Sequence, residues 1–266
     1  MKKIVGFFRM VGVVLLYVAL YYLIFRTVLY VWDKILPDIG PLRGLVKNNP
    51  LGIVVFNDLI ALPLFYLVTL GVNRRNMFQT SKLKAIRPWH AVLSIMAGLS
   101  MGLFVAGVFK LPYFDRVKSL HDIIYFIYNS SSLYAFFLFV TIGTLFKEIL
   151  FRGLIFNEFH RVMPFWLANL LQAVMYGILF MNLEPFMTLF GVLGSLVVGL
   201  VYLYTDSLFG CIIAQITNNL CILAFRRVWG DVLQGTGLGV PFALGLFSLV
   251  LLLGTWYFLR RSGRKK

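Results

Sequence analysis

Three charged side chains, Lys147, Glu148 and Arg152, stand inside an apolar run from Leu133 to Phe156 that is long enough to span a bilayer. Charge at that depth is expensive, and ionisable residues within a membrane segment mark function or partner contacts. Glu148 and Arg152 are four residues apart with the acid first, so a helix sets them on one face in the favourable order. Lys147 is turned about 100° away from Glu148 on that helix and has only Glu148 as a local carboxylate. Asp58, Glu158 and Asp206 are its candidate partners from elsewhere, and the sequence does not choose among them. Two more polar spots follow on later apolar runs: Tyr176 to Phe180 with Asn182, and Gln215-Ile-Thr-Asn218-Asn219. Gln215 and Asn219 share a helical face, and the three spots could converge on one cavity.

The chemistry such a cavity would be asked to do is limited by what is missing. Peptide hydrolysis needs a general base that activates water, or a metal that lowers the pKa of water. The phenyl ring of Phe180 can do neither, and the carboxamide of Gln215 is no useful base and no usual zinc ligand. Lys147 would keep its proton unless strongly desolvated. The histidines, His90, His121 and His160, fall near the edges of apolar runs, away from the polar spots. No H-E-x-x-H, serine triad or aspartyl dyad stands in for them, and no metal or cofactor is expected. Gly194-Ser195 has no His or Asp placed to activate the hydroxyl, so packing is its expected role.

The elements that would carry these residues are membrane helices. A chain that is 60% hydrophobic, 13% charged and of mean hydropathy +0.87 is not a soluble domain. We expect an all-α polytopic protein, a single membrane domain over 1–266, with about eight spans. These lie at roughly 8–31, 51–72, 89–109, 133–156, 165–182, 186–204, 207–225 and 239–260. The first reads as a retained span and not a signal peptide. The third carries Ser94, Gly98, Gly102 and Ala106 and the sixth Gly191, Ser195 and Gly199, small residues every fourth position that let helices approach closely. Cys211 and Cys221, ten residues apart on one helix, are out of disulfide reach. The aromatics, 17% of the chain, read as lipid-facing and interfacial.

A formal charge of +15 raises nucleic acid as a partner, but the bases sit at the edges of apolar runs and form no groove-like patch. They obey the positive-inside rule instead. With both termini cytoplasmic, fourteen bases fall inside, eight outside and three within spans (Arg26, Lys147 and Arg152). Arg226 and Arg227 fall on the wrong side, which leaves the seventh span open to being re-entrant. Ser119 and Asp122 form a capping box for a short interfacial helix, and the basic tail from Arg260, although it could hold anionic lipid, reads as the topological anchor of the last span.

Residues Lys147-Glu148-Ile-Leu-Phe-Arg152, Tyr176-Gly-Ile-Leu-Phe180 and Gln215-Ile-Thr-Asn218-Asn219 together resemble, in order and spacing, the CAAX protease and bacteriocin-processing (Abi) family of intramembrane proteases. The resemblance covers a core of 133–223. The family's motifs are E-E-x-x-x-R, F-x-x-x-H and H-x-x-x-N. It implies a helical bundle in which the first Glu serves as general base. Here that Glu is Lys147, the first histidine is Phe180 and the second is Gln215; Glu148, Arg152 and Asn219 match. The expectation is an inactive member acting as scaffold or regulator of another membrane or cell-envelope protein in a bacterial cytoplasmic membrane, with membrane lipids around it. An intramembrane protease with Glu148 as a relocated base, and a small transporter or lipid-binding protein using Lys147 and Arg152, are the alternatives.

Overall fold

The computed structural model describes residues 2–108, 117–128, 132–180, 185–229 and 239–263. Its described elements are helices: α1 (Lys2–Tyr30), α2 (Gly40–Asn48), α3 (Gly52–Asn73), α4 (Met77–Thr80), α5 (Pro88–Val108), α6 (Lys118–Tyr128), α7 (Leu133–His160), α8 (Phe165–Phe180), α9 (Pro185–Thr205), α10 (Leu208–Trp229) and α11 (Gly239–Gly263). Seven are long and apolar enough to cross a membrane, and α8 is a shorter apolar helix. The protein is an all-α, multi-pass membrane protein.

The chain divides into two compact units, 1–82 with 123–172, and 83–122 with 173–266. In the first unit, α1 and α3 run antiparallel. Arg9 bonds Asn73 at one end, Tyr17 stacks on Phe65 midway, and the Trp32 ring lies against Gly52 at the other end. Helix α7 runs parallel to α3. Its N-cap hydroxyl, Ser132, bonds Asn49 at 2.6 Å, and Phe146 packs edge-on against Phe65. Tyr17, Phe65, Phe146 and Phe151 are fully buried here. The expectation that the aromatics face lipid is therefore corrected for these rings, which form a core cluster, while others of the unit such as Phe8, Tyr30 and Tyr134 are exposed. Rings bury large apolar area at little entropic cost, and packing between helices is what drives association within lipid.

In the second unit, small residues set the geometry. A Cβ on Gly98 would strike the Ala214 carbonyl, and one on Gly102 would come within 2.7 Å of Cys221 Cβ, so α5 and α10 touch along their backbones and run parallel. Lys84 and Asp206, near their starts, pair at 2.6 Å. Helix α11 returns antiparallel to α5, with His90 bonded to Ser262 and Gly107 lying against Pro241 and Leu244.

Of the eight spans expected from the sequence, seven are matched by helices of spanning length, and the expected fifth is the shorter α8, with 16 residues or about 24 Å of rise. The seventh expected span, open to a re-entrant reading, shows no break. Helix α10 is continuous over 22 residues, and Arg226 and Arg227 form its last turn, where bases complement the helix dipole. Helix α6 is present as expected, but the side chain of its capping Ser119 lies outside the described residues, as does that of His121.

Candidate functional site

The stretch that carries Lys147, Glu148 and Arg152 is not a plain α-helix. Two π-helical segments, Phe139–Gly143 and Ile149–Ile155, flank the α-turn Thr144–Glu148. A π-turn costs hydrogen-bond geometry, persists where surrounding structure over-determines it, and is frequent at functional sites. One source of that determination is visible at Gly153. A Cβ there would strike Ser81, because the short helix α4 ends against the π segment. Asn157 fastens the contact by donating to the Thr80 carbonyl at 3.0 Å and to the Gly153 carbonyl at 2.7 Å. Asn76 caps α4 itself through the Gln79 amide.

Inside this frame Arg152 Nη1 donates to Glu148 Oε1 at 2.9 Å, and the two side chains are 0% and 1% exposed. All seven residues of the second π segment are buried around them. The pair is thus the internal ion pair that the four-residue spacing predicts. A buried pair of this kind is weak evidence for stability, yet breaking one member strands the other.

Lys147 points elsewhere. Its ammonium sits 4.7 Å from the centre of the Phe139 ring, eight residues or about two turns earlier, in the first π segment. Of the three distant carboxylates open to it from sequence, its electrostatic partner is Asp58 on α3. Glu158 is held by Arg161 at 2.6 Å and Arg9 at 3.7 Å, and Asp206 by Lys84. Asp58 is 2% exposed and accepts from Asn57 Nδ2 at 2.9 Å. Its other oxygen lies beside Gly143, where a Cβ would stand 3.4 Å away. Sequence reasoning offered Asp58 only as one of three. The signal that singles it out is an acid within an otherwise apolar helix, Gly52–Asn73.

The remaining motif positions belong to the second unit. Phe180 stacks on Tyr176, with ring centres 5.4 Å apart and planes 21° from parallel. The helix that carries them presses against α9, since a Cβ on Gly177 would come within 2.7 Å of the Thr188 carbonyl. Gln215 and Asn219 do share a face of α10. Asn219 Nδ2, however, donates to the backbone carbonyl of Gln215 at 3.1 Å, a bond within its own helix. A carboxamide can satisfy the i−4 carbonyl without leaving its helix. Gln215 and Asn218 are partly buried on the same helix. An apolar hollow of about 290 Å³ in this unit, lined by Met101, Phe104, Phe190 and Leu252 among others, includes none of the motif positions.

As chemistry, the first cluster is compensated charge. Arg152 stands against Glu148 and Lys147 against the Phe139 ring, so the acid of the motif is already held by a guanidinium. The second cluster is an aromatic pair and carboxamides, none of which moves a proton near neutral pH.

Residues 129–221 match the model of the Rce1-like family, described as type II CAAX prenyl endopeptidase Rce1-like. The matched stretch takes in Lys147, Glu148, Arg152, Phe180, Gln215 and Asn219. No curated protein and no solved structure matches the chain. Over this stretch, about a third of the chain, it is similar to that family, the one that its three spaced motifs resemble.

Proposed function

We propose that this protein is a catalytically inactive member of the family that works as a scaffold or regulator, holding a second membrane or cell-envelope protein by a transmembrane segment without cutting it. One observation carries the reading. The acid that remains of the motif, Glu148, is fully buried and bonded to Arg152 at 2.9 Å, so it is built as a structural partner and not as a base facing water. The positions aligned with the family's base and histidines hold Lys147, Phe180 and Gln215, which agrees with that reading. We assign to the carboxamides of Gln215, Asn218 and Asn219, a polar face of α10 within the second unit, the gripping of a partner's polar atoms, and to the ammonium of Lys147, within the first, a separate contact with a partner's acceptor. A bacterial cytoplasmic membrane with both termini inside suits the distribution of bases.

The test is co-purification from native membranes in mild detergent, comparing wild type with Lys147→Ala, Lys147→Glu and Glu148→Gln. An intact partner at a defined stoichiometry, weakened by both lysine changes, is the expected result. A partner recovered in shortened form, whose shortening stops in Glu148→Gln while that variant stays monodisperse, would show a protease with a rearranged site and overturn the proposal.

A further inference from the structure

Away from the motif, a second polar cluster joins the ends of three spans in the first unit. Glu158, in the last turn of α7, is 2% exposed. Arg161 Nη1 donates to its Oε1 at 2.6 Å, and Arg9 Nη1 stands 3.7 Å from its Oε2. Asn73, the last residue of α3, accepts from Arg9 Nη2 at 3.0 Å and from Arg161 Nη1 at 3.4 Å, and its own Nδ2 donates to the Tyr17 hydroxyl at 3.2 Å. Two guanidiniums are thereby held side by side over one buried carboxylate and one amide.

This arrangement has one positive charge more than it needs. Arg161 alone would neutralise Glu158, and bringing Arg9 to the same acid adds like-charge repulsion. Arg74 and Arg75, both exposed, follow directly on Asn73 and increase the excess. Nor are the guanidiniums consumed by the network. Their side chains are 47% and 42% exposed. A guanidinium carries five N–H donors, and among the described residues Arg9 Nε and Arg161 Nε and Nη2 make no bond. The cluster also has a fixed depth. It draws on the start of α1, the end of α3 and the end of α7, so it sits where apolar spans give way to polar chain. In a bilayer that is the level of the headgroups, where the abundant anion is a phosphate ester.

We propose that Arg9 and Arg161, set in place by the buried Glu158 carboxylate and the Asn73 carboxamide, form a binding site for the phosphate of an anionic lipid headgroup. Paired guanidiniums suit that ligand because their planar forks match phosphate oxygens two at a time. The net positive charge favours an anionic headgroup over a zwitterionic one, whose own cation would meet the arginines. The site is independent of any partner protein gripped at Lys147, and it would orient the first unit against one leaflet.

The experiment is native mass spectrometry of delipidated full-length protein titrated with phosphatidylglycerol, with phosphatidylcholine, and with glycerol 3-phosphate as the free-anion arm. Wild type should retain phosphatidylglycerol in preference to phosphatidylcholine. Arg9→Gln should weaken it about fivefold, and Arg9→Gln/Arg161→Gln about 25-fold. Arg260→Gln/Arg261→Gln, at the basic end of α11, should leave it unchanged. Arg9 is the less tightly bound of the two arginines, so the single variant gives a reading even if the double variant does not fold. Unchanged lipid retention in Arg9→Gln, or an equal loss in the α11 control, would overturn the site. Glycerol 3-phosphate binding as tightly as the lipid would show a free-anion site and overturn the assignment to a headgroup.

Discussion

The two halves of the motif differ in how they depart from the family pattern. In the first unit the stretch from Lys147 to Arg152 keeps its charges and balances each of them: Glu148 against Arg152, Lys147 against Asp58 and the Phe139 ring. In the second unit the corresponding positions are uncharged, with Phe180 on Tyr176 and Gln215 and Asn219 along α10. The first is held together by side chains that cannot be lost singly. The second is held by backbone contacts at Gly98, Gly102 and Gly177, which place no demand on what stands at 180, 215 or 219. A buried ion is expensive to strand, so a charged region needs a partner for each charge, as Lys147 has in Asp58. A neutral region packed on glycines can exchange its side chains at little cost.

The largest effect should therefore follow from splitting a charge pair. Glu148→Gln or Arg152→Met should each lower stability by about 3–5 kcal/mol, because each leaves the other group buried without its partner. Glu148→Gln/Arg152→Met together should cost less than the sum of the two. A denaturant titration in detergent of all four forms closes the cycle. Strict additivity would show that the two side chains do not act as a pair.

The next effect contrasts the two units through their glycines. Gly153→Ala and Gly98→Ala both push a methyl into occupied space, and each should cost about 1–3 kcal/mol. They should differ in rescue. At Gly153 the obstruction is chiefly the Ser81 side chain, so Ser81→Gly should restore part of the loss. At Gly98 the obstruction is the Ala214 carbonyl and Thr217 Cβ, and no single side-chain deletion should restore it. Thermal unfolding of the four variants measures both. Equal rescue by Thr217→Ala at Gly98 would remove the distinction between side-chain and backbone packing.

Much of this was legible in the sequence wherever one local rule decides. Spacing alone gives the Glu148–Arg152 pair, and small residues every fourth position give the face of α5 that receives α10. Hydropathy gives the apolar helices directly, seven of spanning length and α8 shorter. That α5 and α10 run parallel in contact, with more than a hundred positions between them, is not legible. The joining of Arg9, Asn73 and Glu158 is illegible for the same reason, a choice among many polar residues that only tertiary placement makes. Asp58 as the partner of Lys147 has a signal, an acid within an otherwise apolar helix, that the choice of three candidates does not use. The π segments around Lys147 are hidden too, since no local pattern marks them and the contact of α4 with the second, at Gly153, is a tertiary one. Burial of Phe65, Phe146 and Phe151 was misjudged because composition cannot separate a ring facing lipid from one facing another helix.

The smallest stability effect should come from Asn219. Its carboxamide bonds its own helix, and polar bonds within membrane helices are worth about 0.6 kcal/mol on average. Asn219→Leu should thus shift unfolding by about that amount or less, since the backbone contacts of α10 at Ala214 and Asn218 are untouched. What should change is the capture of a partner's transmembrane segment, because the substitution removes a polar group from the face we assign to gripping it. The two readouts pull apart only if α10 has a role beyond packing. An Asn219→Leu protein that is equally stable and captures the same partner equally well would remove this residue from the gripping surface. A protein destabilised as severely as Arg152→Met would mean that the second unit depends on its polar positions as the first does, and the contrast between the two regions would fail.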